Sequence, residues 1–381
     1  MSTDAVGAHR RLYVPPTVIH FRRDRRDALV TTLREMGDNT MLQSPAEPQE
    51  LQLRDDCTTV DGGYTYTTHG FKQLASILGP GVGRMIPDLA GTRRRDVPDA
   101  YLNGIMAIRM LNSLIDLRFS AFDSHRMVCN TRTRMIDGFV GSAHQFLDNL
   151  LFFEAVSQAV EQGIDIEFYA ASLVGRRLFM WWRARQPCLM VQAGNKTWPI
   201  YQGYYFCNGE SAGASVRATL ALFTPVGICL GPYKHYGARI THRGRDFMVR
   251  LAAELQRTML RELPLDEWRA NIPAAINQSL GFETARELRP RKLRISALTT
   301  ILRKFGVDSS LANEILTSAL NIGREIGDPN AVPRYQLDQL YASRTALDLL
   351  VCLLHLARRL DMSRRERLEQ TAFHLLIGKF F

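Results

Sequence analysis

The chain has 381 residues, with 48 Lys and Arg against 38 Asp and Glu, which gives a formal net charge of +10. Its hydrophobic fraction of 46% predicts a chain that buries a core, which excludes wholesale disorder. No uninterrupted apolar stretch reaches the roughly 18 residues of a membrane-spanning helix. The first residues also lack the apolar region of a secretory signal. We therefore expect a cytoplasmic protein with no membrane partner.

Arginine dominates the positive charge, because only six of the 48 basic residues are lysines. The planar guanidinium binds phosphate and stacks on bases, so this bias favours a nucleic-acid partner, although a GC-rich genome produces the same bias. The six cysteines form no Cys-x-x-Cys pair, which argues against a disulfide scaffold and a zinc ribbon. No metal and no cofactor are expected.

Three regions are predicted: a basic N-terminal arm over 1–27, an α+β core over 28–262 and a helical domain over 263–381. In chain order, the first half of the core predicts helices over 28–36, 69–78, 98–114 and 142–162, the last with Ser142 as its N-cap. It predicts strands over 51–53, 64–68, 117–122 and 126–135.

Short strands then follow one another without long helices between them, which predicts an antiparallel sheet. These strands are expected over 164–169, 177–185, 188–192, 201–208, 214–223 and 238–241. A helix follows Gly244. The remaining helices are predicted over 266–280, 296–304, 309–324, 335–360 and 363–378, with Ser363 and Glu366 as a capping box. The fold class is α+β, with a central, mainly antiparallel sheet flanked by helices and an all-helical C-terminal part.

The segment 176–185 carries the main candidate site. In a strand, Leu178, Met180, Trp182 and Ala184 share one face, which is the expected core face. The opposite face alternates cations and rings, with no local carboxylate to neutralise it. Arginines bind phosphates and aromatic rings stack on bases, so this face predicts single-strand binding; the alternative is a strand buried on both sides. The predicted face consists of Arg177, Phe179, Trp181, Arg183 and Arg185.

A second basic cluster lies at a strand-to-helix junction, where backbone N–H groups favour phosphate. It is predicted to hold the nucleic-acid backbone, or else to be a solvated basic turn. Its residues are Lys234, His235, Arg239, His242, Arg243 and Arg245. The basic stretches 286–294 and 358–367 are further candidates for tracking a backbone or binding an acidic partner, or else they are solvated helix faces.

Glu210 is either a general base or metal ligand, or a carboxylate that stabilises a turn. Together with His235 or His242 it gives a less favoured alternative, a metal-dependent nuclease. No phosphate-binding glycine loop, nucleophile elbow or His-Glu-x-x-His motif is present in the sequence.

Several short segments resemble a family of phage- and plasmid-like proteins of unknown function. The similar stretches are 66–74, 134–150 with Phe-Leu-Asp-Asn at 146–149, 203–213, 228–231, 241–244 and 343–346. This chain departs from the family pattern at Gly209 and Leu230. The resemblance implies a mobile-element protein, and no catalytic residues come with it. The architecture is also similar to that of phage single-strand annealing proteins.

The leading hypothesis is therefore a non-enzymatic protein that binds nucleic acid, with single-stranded DNA favoured, in phage or plasmid recombination or replication. Homo-oligomers are expected, since annealing proteins line long strands. The alternative is a self-assembling structural or scaffold protein of a phage or nucleoprotein particle.

Overall fold

The computed structural model describes residues 18–79, 82, 100–161, 165–193, 196–210, 215–277, 346–358 and 360–377. The helices among them are α1 Arg26–Asp38, α2 Thr68–Leu78, α3 Ala100–Leu117, α4 Asn149–Glu161, α5 Tyr233–Tyr236, α6 Phe247–Met259, α7 Leu265–Asn277, α8 Ala346–Ala357 and α9 Met362–Ile377. The strands are β1 Val18–Arg22, β2 Thr40–Gln43, β3 Thr65–Tyr66, β4 His125–Asn130, β5 Met135–Gly141, β6 Ile166–Val174, β7 Arg177–Ala184, β8 Leu189–Ala193, β9 Lys196–Gly209, β10 Val216–Thr224, β11 Gly227–Leu230 and β12 Gly237–Ile240.

A large antiparallel sheet carries the candidate site. Its strand order is β1-β6-β7-β9-β10-β11, with β12 paired to β10 and β8 paired to β9. Helices flank this sheet, so the predicted α+β class with a mainly antiparallel central sheet is confirmed. Residues 18–22, which were predicted to belong to the N-terminal arm, form the edge strand β1 and pair with β6.

A second, four-stranded sheet has the order β2-β4-β5-β3, in which β3 and β5 are parallel. The sequence did not predict this sheet, because 126–135 was interpreted as one strand. A turn at 131–134 divides it, and the Asn130 side chain accepts from the Thr133 N–H at 2.9 Å. The predicted strand over 117–122 is also wrong. There α3 ends and a 3-10 turn buries Phe122 against the Phe139 ring at 5.7 Å.

The start of α4 differs from the prediction. Ser142 does not cap it, because the helix begins at Asn149 and the Asp148 carboxylate accepts from the Leu151 N–H at 2.7 Å. An acceptor three residues before that N–H satisfies one of the free donors of the first turn. Asp148 therefore takes the cap that the sequence assigned to Ser142.

The main hydrophobic core lies on one face of the large sheet. Leu178, Met180 and Trp182 point into it, as predicted, and they are 0–3% exposed. The described C-terminal helices share this core with the sheet through residues such as Leu353 and Phe373. The predicted helices over 296–304 and 309–324 lie outside the described residues. A smaller core lies between the four-stranded sheet and helices α2 and α3.

Gly203 of β9 allows two neighbouring strands and a ring to approach closely. A Cβ at this position would lie 2.1 Å from the Trp182 carbonyl oxygen and 2.5 Å from the Phe223 ring. Contacts this short force the backbone or the ring to move, because packed interiors leave no free space. Because Gly203 has no side chain, the Phe223 ring can pack directly against the backbone of the sheet at this position.

We expect Gly203→Ala to lower the free energy of unfolding by about 1–3 kcal/mol, the usual cost of forcing extra atoms into a packed core. Gly37→Ala is the matched control. A Cβ at Gly37 would meet nothing within 4 Å, and the residue lies in α1. Alanine favours a helix over glycine by up to about 1 kcal/mol, so the control is expected to be neutral or stabilising. Urea unfolding of both variants measures the difference, and equal stabilities would contradict the close approach.

Candidate nucleic-acid interface

The alternation predicted for β7 is present, but the face of Phe179 and Trp181 is not open. Both side chains are 2% exposed. The Arg365 guanidinium from α9 lies 4.8 Å from the centre of the Trp181 ring, and the Tyr205 ring lies 5.5 Å from it. The prediction that Phe179 and Trp181 form an exposed stacking surface is therefore wrong. Alternation along one strand identifies the two faces, but does not show which distant helix covers them.

A buried polar cluster fixes α9 on this face of the sheet. The Glu366 carboxylate accepts hydrogen bonds from Arg217, from the Tyr205 hydroxyl and, at 3.4 Å, from the Tyr233 hydroxyl. Burial raises the pKa of Glu366, and Arg217 acts against that shift. The Glu366 side chain therefore binds these three residues and does not form the predicted capping box with Ser363.

The cap of α9 is Asp361, and not the predicted Ser363. The Asp361 carboxylate accepts from the backbone N–H of Arg364 at 3.2 Å. An acceptor at this spacing satisfies one of the unpaired donors of the first turn. The start of the helix therefore leaves Glu366 free to reach the sheet.

The predicted arginines of β7 divide into two environments. Arg177 is half-buried at the start of the strand, whereas the side chain of Arg185 is 60% exposed at its end. Arg185 pairs with Asp165 at 3.4 Å and with Glu167 at 3.5 Å. Glu167 also lies opposite Arg183 in the register of β6 and β7, with their charged atoms 3.9 Å apart. The neighbouring strand thus supplies the carboxylates that β7 itself lacks.

Arg183 lies in a groove across the end of the large sheet. The groove has a volume of 1270 Å³, and its walls come from the sheet and from α8 and α9. Aromatic side chains of three strands and five arginines line it. These residues are Tyr169, Tyr201, Phe223, Arg22, Arg23, Arg183, Arg358 and Arg365.

The arrangement around Arg183 is the best-defined feature of the groove. Its guanidinium lies 5.0 Å from the centre of the Tyr169 ring and 4.7 Å from that of Tyr201. Contacts between a cation and the face of a ring are attractive, and they hold the guanidinium in place. The Arg183 side chain is 28% exposed, and its buried Nε finds no acceptor among the described residues. The two tyrosine rings therefore fix the position of the Arg183 guanidinium, and its Nε–H has no hydrogen-bond acceptor among the described residues.

Carboxylates balance only part of this positive charge. Asp24 and Glu369 are the acidic residues that line the groove, against its five arginines. Arg23 pairs with Glu167 at 2.6 Å, and Arg365 pairs with Glu369 at 2.7 Å. The groove therefore carries an excess of guanidinium groups, whose planar shape suits bidentate contacts with anions such as phosphate.

The second predicted cluster is placed mainly at the surface. Lys234, His235, Arg239, Arg243 and Arg245 are exposed, and none of them lines the groove. The Arg239 Nε donates to the Ser215 hydroxyl at 2.8 Å. The two predicted clusters therefore do not merge into one site among the described residues.

His242 does not belong to that exposed cluster, because it is 2% exposed. Its ring stacks on His144 at 4.8 Å and on Phe247 at 5.0 Å. Burial lowers the pKa of His242, and it lowers that of His144 to about 4 with help from His242. Both rings are neutral at pH 7, so the prediction of His242 as an exposed cation for the backbone is wrong.

Glu210 is buried, at 1% exposure, and both of its oxygens accept hydrogen bonds. One accepts from the Asn149 N–H at 2.8 Å, and the other accepts from Arg176 at 3.0 Å. A carboxylate held in this way stabilises a structural junction, which is the second of the two roles that the sequence left open. Within the part of the chain that the structure describes, no cluster of His, Cys, Asp and Glu has the arrangement of a metal site.

Comparisons with known proteins bring no further identification: no protein-family model, no curated protein and no solved structure matches this chain. The resemblance to phage- and plasmid-like proteins therefore stays a prediction. Among the described helices, none combines the length and the apolar character needed to cross a membrane.

Most groove residues other than Arg183 were not assigned from the sequence. Arg358 and Arg365 lie in the basic stretch 358–367, which was already a candidate for tracking a backbone. Tyr169 lies inside β6 and Tyr201 lies inside β9, with no basic neighbour in sequence to mark them. Only the pairing of β6, β7 and β9 brings their rings to Arg183.

Proposed function

We propose that this chain binds single-stranded nucleic acid in the groove around Arg183, without catalysis, as part of phage or plasmid recombination or replication. The observation that carries the proposal is the Arg183 guanidinium between the Tyr169 and Tyr201 rings, inside a groove lined by four further arginines. Grooves that bind single-stranded nucleic acid usually combine basic side chains, which contact the phosphate backbone, with aromatic rings, which stack on the bases.

The composition of the groove favours a single strand over a duplex. In a duplex the base faces are stacked on one another, so the aromatic rings of the groove would find no base face to stack on. A single strand offers both its phosphates and its base faces to the same surface. The proposal includes the association of several copies of this chain along a longer nucleic-acid strand.

We expect Arg183→Gln to weaken single-strand binding about tenfold, the effect of losing one charge-assisted hydrogen bond of roughly 1.5 kcal/mol. The slope of log affinity against log salt is expected to become less steep by about 0.7, because one phosphate fewer is neutralised. Fluorescence anisotropy with a labelled oligothymidylate, at about 50 and 200 mM salt, measures both quantities.

Arg185→Gln is the matched control, since Arg185 directly follows β7, two residues after Arg183, is exposed and does not line the groove. It removes the same charge and is expected to change affinity less than threefold, on the scale of a weak surface contact. Equal losses in the two variants would show a general charge effect and would contradict the groove. Weak binding of the unaltered chain to single strands and duplexes alike would favour the alternative of a structural assembly protein.

A further inference from the structure

A buried ion pair on α9 forms part of the lining of the groove. Glu369 of α9 lines the groove, yet its side chain is 3% exposed. One of its oxygens accepts from the Arg365 Nε at 2.7 Å, and the other finds no hydrogen-bond donor among the described residues. Arg365 lines the same groove and lies on the Trp181 ring. A phosphate that enters here therefore meets an arginine whose charge is already shared with a carboxylate.

We propose that Glu369 controls whether Arg365 is available to phosphate, so that nucleic-acid binding in the groove is coupled to the uptake of one proton by the Glu369 carboxylate. The inference rests on the proposed function of the groove. Solvent supplies the proton, which binds the carboxylate oxygen and leaves Arg365 with an uncompensated positive charge.

The groups around Glu369 place its titration in an accessible range. Burial raises the pKa of Glu369 to about 7, which Glu366 also favours, while Arg365 and Arg358 act in the opposite direction. From β11, the buried Cys229 thiol faces the carboxylate, and burial together with Glu369 raises the pKa of that thiol. Cys229 is therefore neutral in this range. Burial also raises the pKa of Glu366, and Arg217, Tyr205 and Tyr233 act against that rise.

The third element packed against α9 is α7, which contributes an apolar contact at this position. The Trp268 ring of α7 meets the Phe373 ring of α9 at 5.9 Å. The groove is also lined by Arg22, Arg23 and Arg183, with Asp24 as its other carboxylate. Asp24 is exposed and lies in the 3-10 turn that follows β1, away from α9 in sequence.

The sign of the coupling follows from these charges. A phosphate beside Arg365 adds negative charge near Glu369, which favours the protonated carboxyl and raises its pKa in the complex. The complex then binds more protons than the free protein, so affinity rises as the pH falls. A rise of one pKa unit from about 7 strengthens binding about fivefold between pH 8 and pH 6.

The test measures the affinity of the full chain for a labelled oligothymidylate at about pH 6 and about pH 8, at constant ionic strength. We expect about fivefold tighter binding at the lower pH, and proton uptake by calorimetry in two buffers of different ionisation enthalpy. Glu369→Gln, which mimics the protonated side chain, is expected to bind at both pH values as tightly as the unaltered protein does at the lower one.

Arg365→Gln provides a second variant if Glu369→Gln does not fold. It is expected to bind more weakly and to lose the pH dependence. Arg365 lowers the pKa of Glu369, so without that charge the buried carboxyl stays protonated to higher pH and has no arginine to mask. Equal affinity of the unaltered chain at both pH values, or a pH dependence that survives in either variant, would overturn the coupling while leaving the groove intact. Absence of binding at every pH would overturn the proposed function instead.

Discussion

Arg176→Met is expected to lower the free energy of unfolding by about 3–5 kcal/mol, the cost of removing one member of a buried ion pair. The Arg176 side chain is 3% exposed. Its Nε donates to Asp137 at 2.7 Å, and its Nη1 donates to Glu210 at 3.0 Å. Methionine fills a similar volume but leaves two buried carboxylates without a counter-charge. Urea unfolding at neutral pH measures the loss.

The position of these residues explains why the effect is large. Arg176 lies in the turn between β6 and β7 of the large sheet, and Glu210 directly follows β9. Asp137 lies on β5 of the small sheet, so the network joins the two sheets. Arg177→Met is the matched control, because Arg177 is the next residue and only half-buried. It is expected to cost less than about 1 kcal/mol, as surface substitutions do.

The loss in Arg176→Met is also expected to depend on pH. Burial raises the pKa values of Asp137 and Glu210, and the Arg176 charge acts against both shifts. Removing Arg176 raises both pKa values further. An acid whose folded pKa lies above its unfolded pKa contributes stability at low pH, which is lost as the pH rises through the folded value. The deficit of the variant is therefore expected to shrink from about pH 8 to about pH 5. A deficit that grows as the pH falls would contradict this origin.

Most of the large sheet could be predicted from local patterns, because the strands from β6 to β12 follow one another closely in sequence and several of them alternate. Its edge strand β1 was missed, because it pairs with β6 from residues 18–22 near the start of the chain. Met180 and Trp182 were assigned to the core from spacing alone, and both are buried there. The small sheet was missed because it assembles strands from distant parts of the chain. For example, β2 pairs with β4 between Thr40 and Asn130. No local periodicity reports such a pairing.

The candidate site, like the fold, could be predicted from the sequence only in part. The composition of β7 identified Arg183, which lies in the groove, but it also put Phe179 and Trp181 at an open surface. Their burial depends on α9, about 180 residues further along the chain, and on its Glu366 contact with Arg217. A strand with rings on both faces signals burial on both sides, and this was the alternative that the residues themselves left open.

Trp181→Ala is accordingly expected to act on stability, with a loss of about 3–5 kcal/mol, the usual cost of truncating a buried tryptophan to alanine. The ring is 2% exposed and packs between Tyr205 and the Arg365 guanidinium. Its removal leaves a cavity under α9 and deprives Arg365 of its support. Urea unfolding of the variant measures this loss.

Trp181→Phe keeps an aromatic ring at this position but removes the indole N–H and part of the ring volume. The Trp181 Nε1 has no hydrogen-bond partner among the described residues, so phenylalanine gives up volume and no hydrogen bond. Its expected cost is smaller than that of Trp181→Ala, because a phenyl ring leaves a smaller cavity than a methyl group does. In the folded protein, both variants are expected to affect single-strand affinity less than Arg183→Gln does, because Trp181 does not line the groove and acts on it only through Arg365. A Trp181→Ala protein of full stability that had lost its affinity for DNA would instead place the ring at an open binding surface.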